Sequence, residues 1–165
     1  MSLGDALTVV RQHRAGVLVD TNLVLLLLAG TVDRKLIGRW KRTQTYVEDD
    51  FDLLNELLES HRGLVTTPHI AAEVSNLATS LSKQDHARFF ELFAGYLRET
   101  KERSVAARDV ALVDVFARLG LTDTAIVRFK RRSPLVITDD LPLALHLERQ
   151  RLPVVNFNHL RNLAA

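Results

Sequence analysis

Four short runs of branched apolar residues punctuate the chain: GVLVD (16–20), GLVTT (63–67), PLVITDD (134–140) and LPVVNF (152–157). Between them lie stretches patterned as helices. Strands that alternate with helices from end to end fit a parallel sheet wrapped by helices, because parallel neighbours need a crossover long enough to hold one. An α/β fold with a central, mostly parallel sheet is therefore expected. At 165 residues, 47% of them hydrophobic and 25% charged, the chain has the length and composition of one domain with a real core. It carries no internal repeat and no linker, so residues 1–165 are read as a single domain.

The helical stretches are assigned as follows. Residues 6–15 lie in a leading segment (1–15) and form a short helix. Leu23–Ala29 follows the first strand, capped by Thr21 and Asn22 and stopped by Gly30. Residues 31–50 are a basic connector, partly helical, and 48–61 an amphipathic helix with acids in its first turn. Thr67 and Pro68 open the next helix, which reads as largely buried. Residues 83–103 make a long amphipathic helix, and 105–118 another, ended near Gly120. Thr122 caps a helix over Asp123–Arg131, and 141–150 is the last.

Composition removes several classes. There is no cysteine, so disulfides, thiolate nucleophiles and thiolate-bound zinc are excluded. The apolar run Leu23–Ala29 is far short of the roughly 20 residues that span a bilayer. Asp20 and Asn22 would fall inside the apolar part of a signal peptide. The expectation is a soluble, cytoplasmic protein with no membrane partner. A formal net charge of +2 permits a nucleic-acid partner without requiring one.

Acidic residues interrupt this pattern at particular places. Asp20 closes the first strand, Asp139 and Asp140 close the strand in VITDD, Asp123 stands at a helix start, and Glu73 lies one turn into its helix. Ligand sites of open parallel sheets form beyond the carboxyl ends of the strands, and all these acids can reach that edge. Each has an ordinary alternative: Asp20 and Asp140 as helix caps, Asp123 as a first-turn acid. Glu73 is harder to explain away, because its helix neighbours are apolar while His69 and Asn76 share its face. Two carboxylates about 4 Å apart repel by roughly 4 kcal/mol at an effective dielectric near 20. Acids that converge thus need protons or a cation. An oxygen-only donor set favours Mg2+ or Mn2+ over zinc, and His69 lacks the second histidine of a zinc helix.

In this order, VLVDTN, TTPHIAAEV, LGLTDTAIV and VITDD resemble the four motifs of the PIN-domain nucleases. The resemblance runs from about Val17 to Arg161. It implies a three-layer α/β/α sandwich, and Asp20, Glu73, Asp123 and Asp140 as catalytic metal ligands, with Asn22, Asn76, Thr138 and Asp139 in support. It implies hydrolysis of phosphodiester bonds in single-stranded RNA with Mg2+ or Mn2+. Many members are toxins of toxin–antitoxin pairs and many dimerise, so an antitoxin protein and a second copy of the chain become expected partners. The chain is longer than the compact toxins, mainly within residues 31–50.

That added length holds Arg34, Lys35, Arg39, Lys41 and Arg42 around Trp40. Cations interleaved with an aromatic suit single-stranded RNA; the alternative is a solvated face with Trp40 in the core. Lys130, Arg131 and Arg132 invite the same two readings. A response-regulator receiver also sets aspartates at strand ends, but it would need a lysine after a late strand and would leave Glu73 unexplained. A PIN-like RNA- or protein-binding module without catalysis is the remaining alternative.

Overall fold

The computed structural model describes residues 1–129 and 133–164. Lys130, Arg131 and Arg132 lie outside the described residues. Five strands, β1 (Val17–Val19), β2 (Leu64–Thr66), β3 (Lys101–Glu102), β4 (Leu135–Thr138) and β5 (Val154–Asn156), form one sheet in the order β3-β2-β1-β4-β5. Every pairing is parallel, with Leu18 opposite Val65 on one side and Val136 on the other. The sheet is therefore wholly rather than mostly parallel, and it has one strand more than the sequence pattern suggests. β3 is two exposed polar residues, so no apolar run announces it.

Helices fill the crossovers. α2 (Thr21–Val32), α3 (Arg34–Arg39) and α4 (Glu48–Glu59) join β1 to β2; α5 (Pro68–Ala78) and α6 (Lys83–Glu99) join β2 to β3. α7 (Ala107–Val110) and α8 (Phe116–Val127) join β3 to β4, and α9 (Leu141–Arg149) joins β4 to β5. α1 (Leu3–Gln12) leads the chain and α10 (Phe157–Ala164) closes the described part. Right-handed crossovers put α2–α6 on one face of the sheet and α7–α9 on the other, giving the helix–sheet–helix layering. Among the described residues no helix is long and apolar enough to cross a membrane.

α2 is the hub of its layer. Leu23, Val24, Leu25, Leu26, Leu28 and Ala29 are all buried, because the helix packs against α3, α4, α5 and α6 as well as the sheet. Its cap is the alternative weighed for Asp20 in place of Thr21 and Asn22, and its stop differs from expectation. Asp20 is the cap, accepting the Leu23 N–H at 3.0 Å, and the helix runs through Gly30 to Val32. Gly30 is there for space: a Cβ would stand 2.7 Å from Phe51 Cγ. The helix expected over 83–103 ends at Glu99, where β3 takes over. The one expected over 105–118 is split into α7 and the start of α8, and Gly120, at φ 75°, breaks α8 in the middle. α5 begins as expected, with the Thr67 hydroxyl accepting the Ile70 N–H at 3.1 Å. It is buried on one face only, through Ile70, Val74 and Ala78, so it is not the largely buried helix its sequence suggests.

Candidate active site at the carboxyl edge of the sheet

The chain builds outward from β1 in one direction as far as β3, then returns to lay β4 on the other side of β1. Strand order thus reverses between β1 and β4, the point at which ligand sites of such sheets form beyond the carboxyl ends of the strands. Asp20 follows β1 directly and Asp139 follows β4 directly. The two are joined through the backbone: Asp20 Oδ2 accepts the Asp139 N–H at 2.9 Å, and the Asp20 N–H donates to the Ile137 carbonyl at 3.1 Å. Asp20 is 5% exposed. Burial, and after it the charge of Asp139, push its carboxyl up to about 8, against hydrogen bonds from Thr138 and two backbone amides that favour the charged form. The Thr138 hydroxyl also accepts the Asp140 N–H at 3.0 Å.

Asp139 is held by side chains from three distant parts of the chain. Asn22 donates to its Oδ1 at 3.1 Å, the Tyr46 hydroxyl donates to its Oδ2, and Asn158 donates to its carbonyl at 2.6 Å. Burial first, then the negative charge of Asp139, hold the Tyr46 phenol protonated far above its ordinary range, which fixes it as the donor. Tyr46 is fixed in turn. The Arg161 guanidinium lies 5.0 Å from its ring centre and forks onto buried Asp50 at 2.9 and 2.7 Å. Arg161 also donates to the Thr45 carbonyl at 2.9 Å. Tyr46, Asp50, Asn158 and Arg161 were invisible to sequence reasoning: they come from the connector, a helix start and the last helix, and no local pattern links them.

Asp123, Glu73 and Asp140 form the other part of the edge. Glu73 accepts from the Thr21 hydroxyl at 2.7 Å. Asp140 caps α9, accepting the Leu143 N–H at 2.7 Å. Asp123 has no hydrogen-bond or ion-pair partner among the described residues. Burial pushes its carboxyl up to about 7, helped by the charges of Asp140, Glu73 and Asp139 in that order. Asp139 therefore acts on both Asp20 and Asp123 and links the two parts. Asn76, one turn beyond Glu73, is exposed on α5. His69 keeps a buried Nδ1 without a partner.

The acids meet along a rim rather than in a cage. Among the described residues no three His, Asp or Glu side chains are grouped to hold a metal ion. Mg2+ does not require such a group, since it keeps several waters and is commonly held by one or two carboxylates plus substrate phosphate. Tyr96 on α6 is 9% exposed and its hydroxyl has no partner among the described residues; burial first, then the charge of Asp20, hold it protonated. The donor chemistry therefore fits a hydrated oxygen-seeking cation.

No protein-family model and no curated protein matches the chain.

The basic connector is organised differently from a stacking platform. Trp40 is 5% exposed, packs edge-on against Phe89 at 5.7 Å and donates its indole N–H to Ser80 at 3.0 Å. Its ring is thus not available to a base, and the core reading of Trp40 holds. Arg34 is paired with Glu48 and Asp52, and Arg39 with Asp33 and Asp85. Lys35, Lys41 and Arg42 are exposed. A cleft of about 1180 Å³ lined by His13, Ser133, His146 and Arg151 opens at the amino edge of the sheet and contains none of the rim acids.

Proposed function

We propose that the chain is a Mg2+- or Mn2+-dependent ribonuclease of PIN type, hydrolysing phosphodiester bonds in single-stranded RNA. The observation that carries this reading is the position of Asp20 and Asp139, side by side at the switch point of a doubly wound parallel sheet, with the unpartnered Asp123 in electrostatic contact beyond them. Buried like charges at a ligand crevice call for a cation, and RNA supplies a phosphate to complete its coordination.

In this reading Asp20 and Asp139 anchor the cation, and Glu73, Asp123 and Asp140 complete the rim directly or through water. When bound, the metal supplies an activated water and stabilises the leaving oxygen. Asp123, the one rim carboxylate without a hydrogen bond among the described residues, is left to meet the cation or its waters. Lys35, Lys41 and Arg42 are the connector residues left to meet RNA phosphates. An antitoxin and a homodimeric state belong to the same proposal.

A second reading, a PIN-like binding module without hydrolysis, draws on one observation: every rim acid except Asp123 is already hydrogen-bonded, and no three are grouped. A fluorescent single-stranded RNA separates the two. Cleavage that requires Mn2+ or Mg2+, stops with chelator and is lost in Asp20→Asn supports the nuclease. RNA binding with no cleavage above the Asp20→Asn background supports the module.

A further inference from the structure

We propose that Tyr46 is a positioning residue: fixed by the Arg161–Asp50 ion pair, it pins Asp139 beside Asp20, and these two carboxylates hold the divalent cation. The inference rests on the metal-dependent reading above and deepens it, because it gives the anchoring role to Asp139, which the resemblance makes a support beside Asp140.

Asp139 and Asp140 are neighbours, but they are held for different ends. Asp140 turns its carboxylate onto the start of α9, where it satisfies the Leu143 amide; this is what a helix needs from a cap. The carboxylate of Asp139 caps nothing. Its two donors come from α2 and from the connector, far away in sequence. Both are neutral, so they orient the carboxylate without cancelling its charge. Neither Asp20 nor Asp139 has an ion pair with Lys or Arg among the described residues. The pair is left without a cationic side chain, adjacent and tied through one backbone amide.

Tyr46 is itself over-determined. It is 3% exposed, its ring lies under Arg161, and Asp50, besides receiving Arg161, accepts the Val47 amide at 2.8 Å. Packing alone would be served by phenylalanine; the hydroxyl makes one bond, and that bond goes to Asp139. Such outer donors orient a ligand and raise its affinity for metal, and their loss commonly costs 10–100-fold. The hydroxyl of Tyr96 on α6 is buried without a partner among the described residues, and the charge of Asp20 reaches it.

The test is calorimetric titration of Mn2+ into the full chain, as wild type and as Tyr46→Phe, Asp139→Asn and Asp140→Asn, with melting in chelator to establish that each variant is folded. Tyr46→Phe and Asp139→Asn are each expected to weaken Mn2+ binding by about tenfold or more, and Asp140→Asn by less than about threefold. In RNA cleavage, the Mn2+ concentration giving half-maximal rate should rise for Tyr46→Phe by the same factor; a merely structural defect would lower the maximal rate at every Mn2+ concentration. If the wild type binds Mn2+ and Tyr46→Phe binds it equally well, or Asp140→Asn loses as much as Asp139→Asn, the assignment is overturned while the ribonuclease reading stands. If the folded wild type binds no Mn2+, the metal reading fails and takes the assignment with it.

Discussion

Replacing Asp123 by asparagine should make the protein more stable at pH 8 and leave it nearly unchanged at pH 4. The Asp123 carboxyl rises from an ordinary 3.8 to about 7 in the folded protein, chiefly through burial and then through Asp140, Glu73 and Asp139. Between those values the native state holds a proton that the unfolded chain has released, so stability falls as pH rises. The favourable contribution is present in full below about pH 4 and is lost as pH climbs through about 7. At about 1.4 kcal/mol per pH unit, the whole effect is about 4 kcal/mol at the upper end. Asparagine imitates the protonated acid at every pH and so removes this slope. Urea unfolding followed by circular dichroism, in chelator at pH 4, 6 and 8, reads the difference. Midpoints for Asp123→Asn and wild type that coincide at pH 8 would show that Asp123 is not held against its neighbours' charge, and the electrostatic link across the rim would fall with it.

Mn2+ at 100 times its dissociation constant should stabilise the wild type by about 2.7 kcal/mol at pH 8, with chelator reversing the gain; an unchanged melting curve would refute cation binding at the rim. Trp40→Ala should cost about 3–5 kcal/mol in urea unfolding, while fluorescence anisotropy of the folded variant shows undiminished affinity for single-stranded RNA. Gly30→Ala, which drives a methyl group into the Phe51 ring, should destabilise by about 1–3 kcal/mol despite alanine's better helix propensity; a more stable variant would mean that Phe51 moves aside freely.

The parts of the fold that follow from local chemistry were legible. β1, β2, β4 and β5 are short branched runs, and Thr67–Pro68 opens α5 as the residues require. Edge strand β3 was not legible, because two exposed polar residues join the sheet through backbone pairing alone. Gly30 misleads for a related reason: it reads as a helix stop, but its role is set by Phe51 of another helix. At the site, the acids at strand ends could be located from sequence, since strand ends are local features. The resemblance makes Asp140 a metal ligand and Asp139 its support; the partners that each carboxylate meets in the fold could not be read. Asp139 and Asp140 differ only through Tyr46, Asn22 and the α9 amide, and Tyr46 depends on Arg161 more than a hundred residues away. Trp40, placed among cations, leaves an RNA contact and a core position both open in the sequence, and Phe89 packed against it decides for the core.

The reversal of strand order at β1 also governs the assembly of the chain as it is synthesised. Residues 17 to 102 can build β1, β2, β3 and their helices while β1 still presents an open hydrogen-bonding edge where β4 will lie. An unpaired apolar edge is a hazard during folding, and here it persists until residues 135–138 leave the ribosome. The same strand brings Asp139 next to Asp20. A nascent chain is thus exposed to misassociation and lacks its acid pair over the same interval, and both conditions end when β4 docks.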